Sequence, residues 1–234
     1  SALPEFTRTF WGFVIGASSM QILATGLMVK LFKMQNFAIG AGLAKSEALV
    51  AAILGVLFFG TQLSLLGWIG VVIGGLAIML LSSKQGFKQL SVKTVLLGLA
   101  CGSAFALTSL WVREASLTLQ GPFTHRAAWV LLWVIGLQTI VLIGYLLAKD
   151  KSTLVALWQR PTLTLSISIT SCIGSIGWFS AMSLQAVPYV KTLGQIEVFF
   201  TLMIAVFWLK DKVKINDVAG LILIAIAAVL VMWS

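Results

Sequence analysis

The chain has 234 residues, 59% of them hydrophobic and only 10% charged, with a formal charge of +9 and a mean hydropathy of +1.04. About 25% of residues are charged in a soluble domain, so this chain cannot cover itself with a water-facing surface and a soluble globular fold is excluded. Its basic residues cluster in short stretches between apolar runs, as expected of loops at an anionic membrane face rather than of a nucleic-acid-binding surface.

The opening SALPEFTRTF lacks the charged start and short apolar core of a cleavable signal peptide. Crossing a bilayer takes about 20 apolar residues. On that measure eight spans follow in order: Phe10–Phe32, Ala41–Gly60, Leu65–Leu81, Thr94–Val112, Ala127–Ala148, Leu163–Leu184, Leu193–Leu209 and Val218–Trp233. None alternates with period two, so helices rather than barrel strands are predicted, because lipid offers the backbone no other partner. Glycine pairs such as Gly70 with Gly74 and Gly98 with Gly102 would let helices approach closely.

The loops divide the basic residues unequally. Eleven fall on one side (Lys30, Lys33, Lys84, Lys88, Lys93, Lys149, Lys151, Arg160, Lys210, Lys212 and Lys214), against Arg8, Arg113, Arg126 and Lys191 on the other, with Lys45 inside a span. The positive-inside rule makes the richer side cytoplasmic and both termini external. A bacterial inner (plasma) membrane is the expected location.

Shifted by 150 positions, the chain overlies itself without a gap. Leu43 meets Leu193, Glu47 meets Glu197, Val56 meets Val206, Gly70 meets Gly220 and Ala77 meets Ala227. Shared hydrophobicity inflates such a match, but the glutamate pair carries weight in a chain with seven acidic residues. The second copy is preceded by two spans that have no counterpart before Phe10. A full unit is therefore five spans, and two more helices are expected upstream, about 65 residues if the units match in length. An odd-numbered unit places its copies upside down relative to each other, an architecture characteristic of secondary transporters. The predicted fold is an all-α polytopic membrane protein, an inverted-repeat helix bundle with eight transmembrane helices here and ten in the full protein. Residues 1–83 form its N-terminal half, 84–93 a basic linker, and 94–234 its C-terminal half.

The stretches AKSEALVAAILGVLFFGTQLSLLGWIGVVIGG and GWFSAMSLQAVPYVKTLGQIEVFFTLMIAVFWLKDKVKINDVAGLILI carry a further likeness. With two five-helix halves, the chain resembles the drug/metabolite transporter superfamily in its EamA-type branch, over nearly its whole length. That resemblance implies a carrier of amino acids, nucleotide sugars, other metabolites or drugs. Two features depart from the family pattern. An acidic residue often follows these helices; here the second copy has Asp211 but the first has Thr61. The family also usually keeps both termini in the cytoplasm, opposite to the basic-residue count.

Candidate site residues follow from charge inside apolar runs. A carboxylate at a helix centre costs about 2.5–3.5 kcal/mol to insert, which the ten Leu, Ile, Val and Phe residues of Leu193–Leu209 offset at about 0.3–0.6 kcal/mol each. Glu197 and Glu47 can therefore enter the membrane and should seek a cavity, a partner or a proton there. The competing reading keeps each near the positive N-terminal end of its helix. Lys45 and Gln195 lie two positions from their glutamates, about 200° around the helix, while Lys191 and Gln195 share a face. Lys191 either binds an anionic group or snorkels to the interface. Trp178, Gln185 and Tyr189 either line a cavity or serve in packing and the aromatic belt. Pro188 either breaks a helix near the site or is a plain loop proline. Arg113, Glu114, His125 and Arg126 are expected in interfacial loops.

The two cysteines, Cys101 and Cys172, lie in apolar runs, and a single His125 leaves no metal cluster, so no disulfide framework, metal or other cofactor is expected. No enzyme motif is present, and none is expected to act. The predicted function is secondary-active transport of small polar or amphipathic metabolites by alternating access, with proton-coupled export as one mode. A non-transporting membrane subunit that scaffolds a larger complex, or a lipid translocator, stays open beside it. The expected partners are a small-molecule substrate and membrane lipids, with a homodimer or larger complex open and no nucleic acid.

Overall fold

A computed structural model of the protein describes residues 4–34, 47–82, 92–197, 199–200, 203, 207 and 215–233. Among these the regular structure is helical, without strands. In chain order the helices are α1 (Arg8–Met34), α2 (Glu47–Phe58), α3 (Leu65–Ser82), α4 (Val92–Leu117), α5 (Phe123–Lys149), α6 (Lys151–Gln159), α7 (Pro161–Leu184), α8 (Val187–Gly194) and α9 (Ile215–Met232).

Among the described residues, four segments are long and apolar enough to cross a membrane: Arg8–Lys33, Val92–Leu117, Phe123–Lys149 and Pro161–Leu184. At 1.5 Å per residue, a helix of this length reaches about 36–40 Å, beyond the roughly 30 Å of a hydrocarbon core. The remaining apolar helices, in α2, α3 and α9, are shorter. The chain thus has the helical, apolar build of an integral membrane protein. Lys45, Asp211 and eight of the seventeen residues of the span expected over Leu193–Leu209 lie outside the described residues. The start of that span differs from expectation, because Leu193 and Gly194 close α8 instead of opening a new helix.

Turn chemistry explains several of the breaks. Gly60 takes a φ of +61°, a left-handed conformation that glycine adopts without penalty, and Thr61 N–H then folds back onto Gly55 O at 2.9 Å. Between α7 and α8 the chain is extended at Gln185 and Ala186. Pro188 follows in the first turn of α8, where its missing N–H costs no helical bond. It therefore opens a helix, which is neither the break nor the loop position that the sequence offered. At the start of α6, the Asp150 carboxylate accepts the Thr153 N–H at 3.3 Å and the hydroxyls of Ser152 and Thr153.

The chain forms two compact units that interleave along the sequence: Ser1–Ile22 with Trp111–Gln185, and Leu23–Leu110 with Ala186–Ser234. In the first, α5 packs along α7. Phe6, Phe10, Trp11, Trp129 and Trp133 form an aromatic cluster with centroid separations of 4.7–6.1 Å. Arg113 and Glu114 belong to α4, half-buried, and His125 and Arg126 lie in the first turn of α5, so the expectation of loop positions is corrected for all four. The cause is an unmet acceptor requirement. The last carbonyls of a helix have no intrahelical partner, and Arg113 Nη1 donates to Met182 O at 2.8 Å and Gln185 O at 2.6 Å, at the end of α7. A buried hydroxyl pair, Ser116 with Ser183 at 2.6 Å, adds to the same junction.

In the second unit α3 lies along α9, and α8 packs against α2, α3 and α9. Small residues permit these approaches. A Cβ on Gly70 would sit 2.7 Å from Val231 Cγ2 and 3.0 Å from the Ala227 carbonyl, and one on Gly67 would sit 2.5 Å from the Tyr189 hydroxyl. Ala77 and Ile224, both buried, continue the α3–α9 seam.

Candidate functional site

The polar residues of the second unit converge around Glu47. It stands in the first turn of α2, and Lys191 in the last turn of α8. Each charge therefore sits at the helix end whose dipole favours it. Lys191 Nζ lies 2.7 Å from Glu47 Oε1, and the buried Ser109 of α4 donates to the same oxygen at 3.0 Å. The two charged side chains are only 16% and 15% exposed. In this position the pair is mutually neutralised, which lets both charges stand in an apolar surround that would reject either alone.

One turn beyond Lys191 on the same face is Gln195, 2% exposed, and next to Lys191 is Thr192, fully buried. Among the described residues, the Gln195 Oε1 and Nε2 and the Thr192 Oγ1 have no hydrogen-bond partner. More than nine in ten buried polar groups are paired, and each one left unmade costs about 1–3 kcal/mol. A cluster of three is therefore out of place in a helix selected for packing alone. Gly74 of α3 is the neighbour that makes room. A Cβ there would lie 2.7 Å from Gln195 Oε1 and 3.2 Å from Thr192 Cγ2.

The backbone changes pitch at the same place. Gln195 N–H bonds Thr192 O at 3.1 Å, Ile196 N–H bonds Leu193 O at 3.1 Å, and Phe199 N–H bonds Ile196 O at 2.9 Å. These three-residue steps tighten the chain between α8 and the helical residues that begin at Glu197. Such stretches mark hinges or strain.

The sequence-predicted residues separate into three groups. Glu47, Lys191 and Gln195 come together, as described. Tyr189 belongs to the same unit but is occupied in packing: its hydroxyl accepts the Ser64 N–H at 3.2 Å and rests against Gly67. Glu197 lies on an exposed side, so the two glutamates matched by the 150-residue shift have different surroundings. Trp178, half-buried, and Gln185, exposed, belong to the other unit, where Gln185 serves Arg113 through its backbone carbonyl. Lys45 lies outside the described residues. Ser109, Thr192 and Gly74 are site members that the sequence reading missed. A serine, a threonine and a glycine in apolar helices are individually common, and only their convergence distinguishes them.

No family model and no curated protein matches the chain. Its fold does recur: a solved crystal structure of a protein is similar with a TM-score of 0.71, over 95% of this chain and 78% of the other. The two share 16% sequence identity, so the likeness is one of fold.

Proposed function

We propose that the protein is a secondary membrane carrier of the drug/metabolite transporter type, moving a small polar or amphipathic solute by alternating access of two inverted five-helix halves. The observation that carries this reading is the Glu47–Lys191 ion pair with its Ser109 hydrogen bond, set among unpartnered polar groups in a chain this apolar. Charges within the membrane are expensive and are retained where they serve a path or a site. A carrier has a further use for the pair. Parting the pair in one conformation and restoring it in the other would free Glu47 to take a proton, so protonation and conformation become linked. Discontinuous helices form the binding sites of many carriers, and the tight backbone steps between Thr192 and Phe199 support this reading as an interruption of that kind.

In this reading the membrane is the bacterial inner membrane, the basic loops are cytoplasmic and the termini external. Export coupled to proton entry would use Glu47, the carboxylate held by Lys191 and Ser109. The test is solute counterflow with the purified protein in liposomes, using a radiolabelled panel of small metabolites at pH 6 and pH 8. At least one solute should exchange, and Glu47→Gln and Lys191→Met should each reduce exchange by tenfold or more. Exchange of no panel member by the wild type, or full exchange by both variants, would refute the carrier.

A further inference from the structure

Resting on the carrier reading, we infer that Gln195 and Thr192 are the recognition element of the site, and that they take an uncharged group presenting a hydrogen-bond donor and acceptor side by side, such as a primary carboxamide. Three features of the geometry combine. The Gln195 amide offers one N–H edge and one C=O edge, the complement of another amide, and neither is matched among the described residues. Thr192 adds a hydroxyl able to donate or accept from the same helix, also unmatched. Gly74 leaves the amide oxygen facing bare backbone, where any larger residue would press on it.

Electrostatics selects the uncharged form. Lys191 and Glu47 neutralise each other at 2.7 Å. A solute with a net charge would either strand that charge in an apolar surround or leave one member of the pair uncompensated. A neutral donor–acceptor group does neither. It supplies both missing bonds of Gln195 at once, and a site built to bond such a group rejects analogues lacking the donor far more strongly than it rejects a changed apolar outline. Exposure falls from 16% at the Lys191 side chain to 2% at Gln195 one turn further on, so the amide is the more enclosed of the two.

The experiment measures binding to the detergent-purified full chain by thermal shift, with three probes of similar outline: nicotinamide, N,N-dimethylnicotinamide and nicotinate. The expected result is stabilisation by nicotinamide, at least tenfold weaker apparent affinity for the dimethyl amide, which has lost the donor, and none for the anion. Gln195→Leu should abolish the nicotinamide shift without lowering the melting temperature of the free protein. Gln195→Asn, which keeps donor and acceptor one methylene short, should retain part of the shift. Equal shifts from nicotinamide and its dimethyl derivative, no shift from nicotinamide, or a shift that survives Gln195→Leu would each overturn the inference. Counterflow in liposomes reports separately. Exchange indifferent to Gln195→Leu leaves the carrier and removes this recognition element, whereas amide-selective binding without any exchange leaves the element and removes the carrier.

Discussion

Replacing Lys191 by methionine removes the ammonium that neutralises Glu47 while keeping most of the side-chain volume. The loss depends on how buried the pair is. Exposed pairs are worth about 0–1 kcal/mol, and removing one partner of a fully buried pair costs about 3–5 kcal/mol. At 15–16% exposure the site stands between these limits, nearer the buried one, and Ser109 would continue to serve the carboxylate. Hydrogen-bonded pairs inside membrane proteins are coupled by about 0.6 kcal/mol on average and about 1.7 at most, which pulls the value down. We therefore expect Lys191→Met to cost about 2 kcal/mol, roughly a 30-fold shift in the unfolding equilibrium. Glu47→Gln should cost less, since it leaves an ammonium on a flexible stem. The double variant should recover about 1 kcal/mol relative to the sum of the two. The assay is a double-mutant cycle of unfolding in mixed detergent–SDS micelles. Costs that add to within about 0.3 kcal/mol would show that the two charges do not act on each other, and the account of the site would fail with them.

Gly70→Ala and Gly74→Ala test the two kinds of close approach on α3. The first drives a methyl against the Ala227 carbonyl and Val231 and should cost about 1–3 kcal/mol. The second meets the far end of the Gln195 side chain, which can turn away, and should cost under about 1 kcal/mol in the same unfolding assay. Arg113→Met removes two hydrogen bonds from the C-terminal carbonyls of α7 and should lower stability by about 1–3 kcal/mol, with Arg113→Lys intermediate. The Asp150 carboxyl is held below its ordinary value of 3.8 by hydrogen bonds from Ser152 and then Thr153. Its stabilisation of α6 is therefore complete above the unfolded value and is lost as pH falls through the lower folded value. The ¹³C-carboxyl resonance of Asp150 should titrate with a midpoint below 3.8, and a midpoint at or above it would refute the cap.

Much of the architecture was legible because membrane helices declare themselves locally. Apolar length alone located α1, α4, α5 and α7, and the helical ends fell within a few residues of the expected spans. Pro161 and Pro188 stand in the first turns of α7 and α8, where the sequence offers a fixed φ and no N–H to lose. Arg113 was misplaced for a physical reason: a charge at the end of an apolar run ordinarily means the water interface. The partners that retain it within α4, the carbonyls of Met182 and Gln185, are about seventy residues away in sequence.

Composition and apolar length determined by themselves that this is a helical, membrane-type chain with its few charges mostly between the apolar runs. Both follow from transfer free energies that act residue by residue, without reference to neighbours. Only the tertiary structure decided what those charges touch. Glu47 and Glu197 fall on each other under the 150-residue shift of the sequence, yet Glu47 is largely buried against Lys191 and Ser109 while Glu197 is exposed. Hydrogen bonds and ion pairs act over about 3 Å, so they depend on which helices lie side by side. That arrangement also made Gly74, an unremarkable residue in the sequence, the close neighbour that gives the Gln195 amide its place.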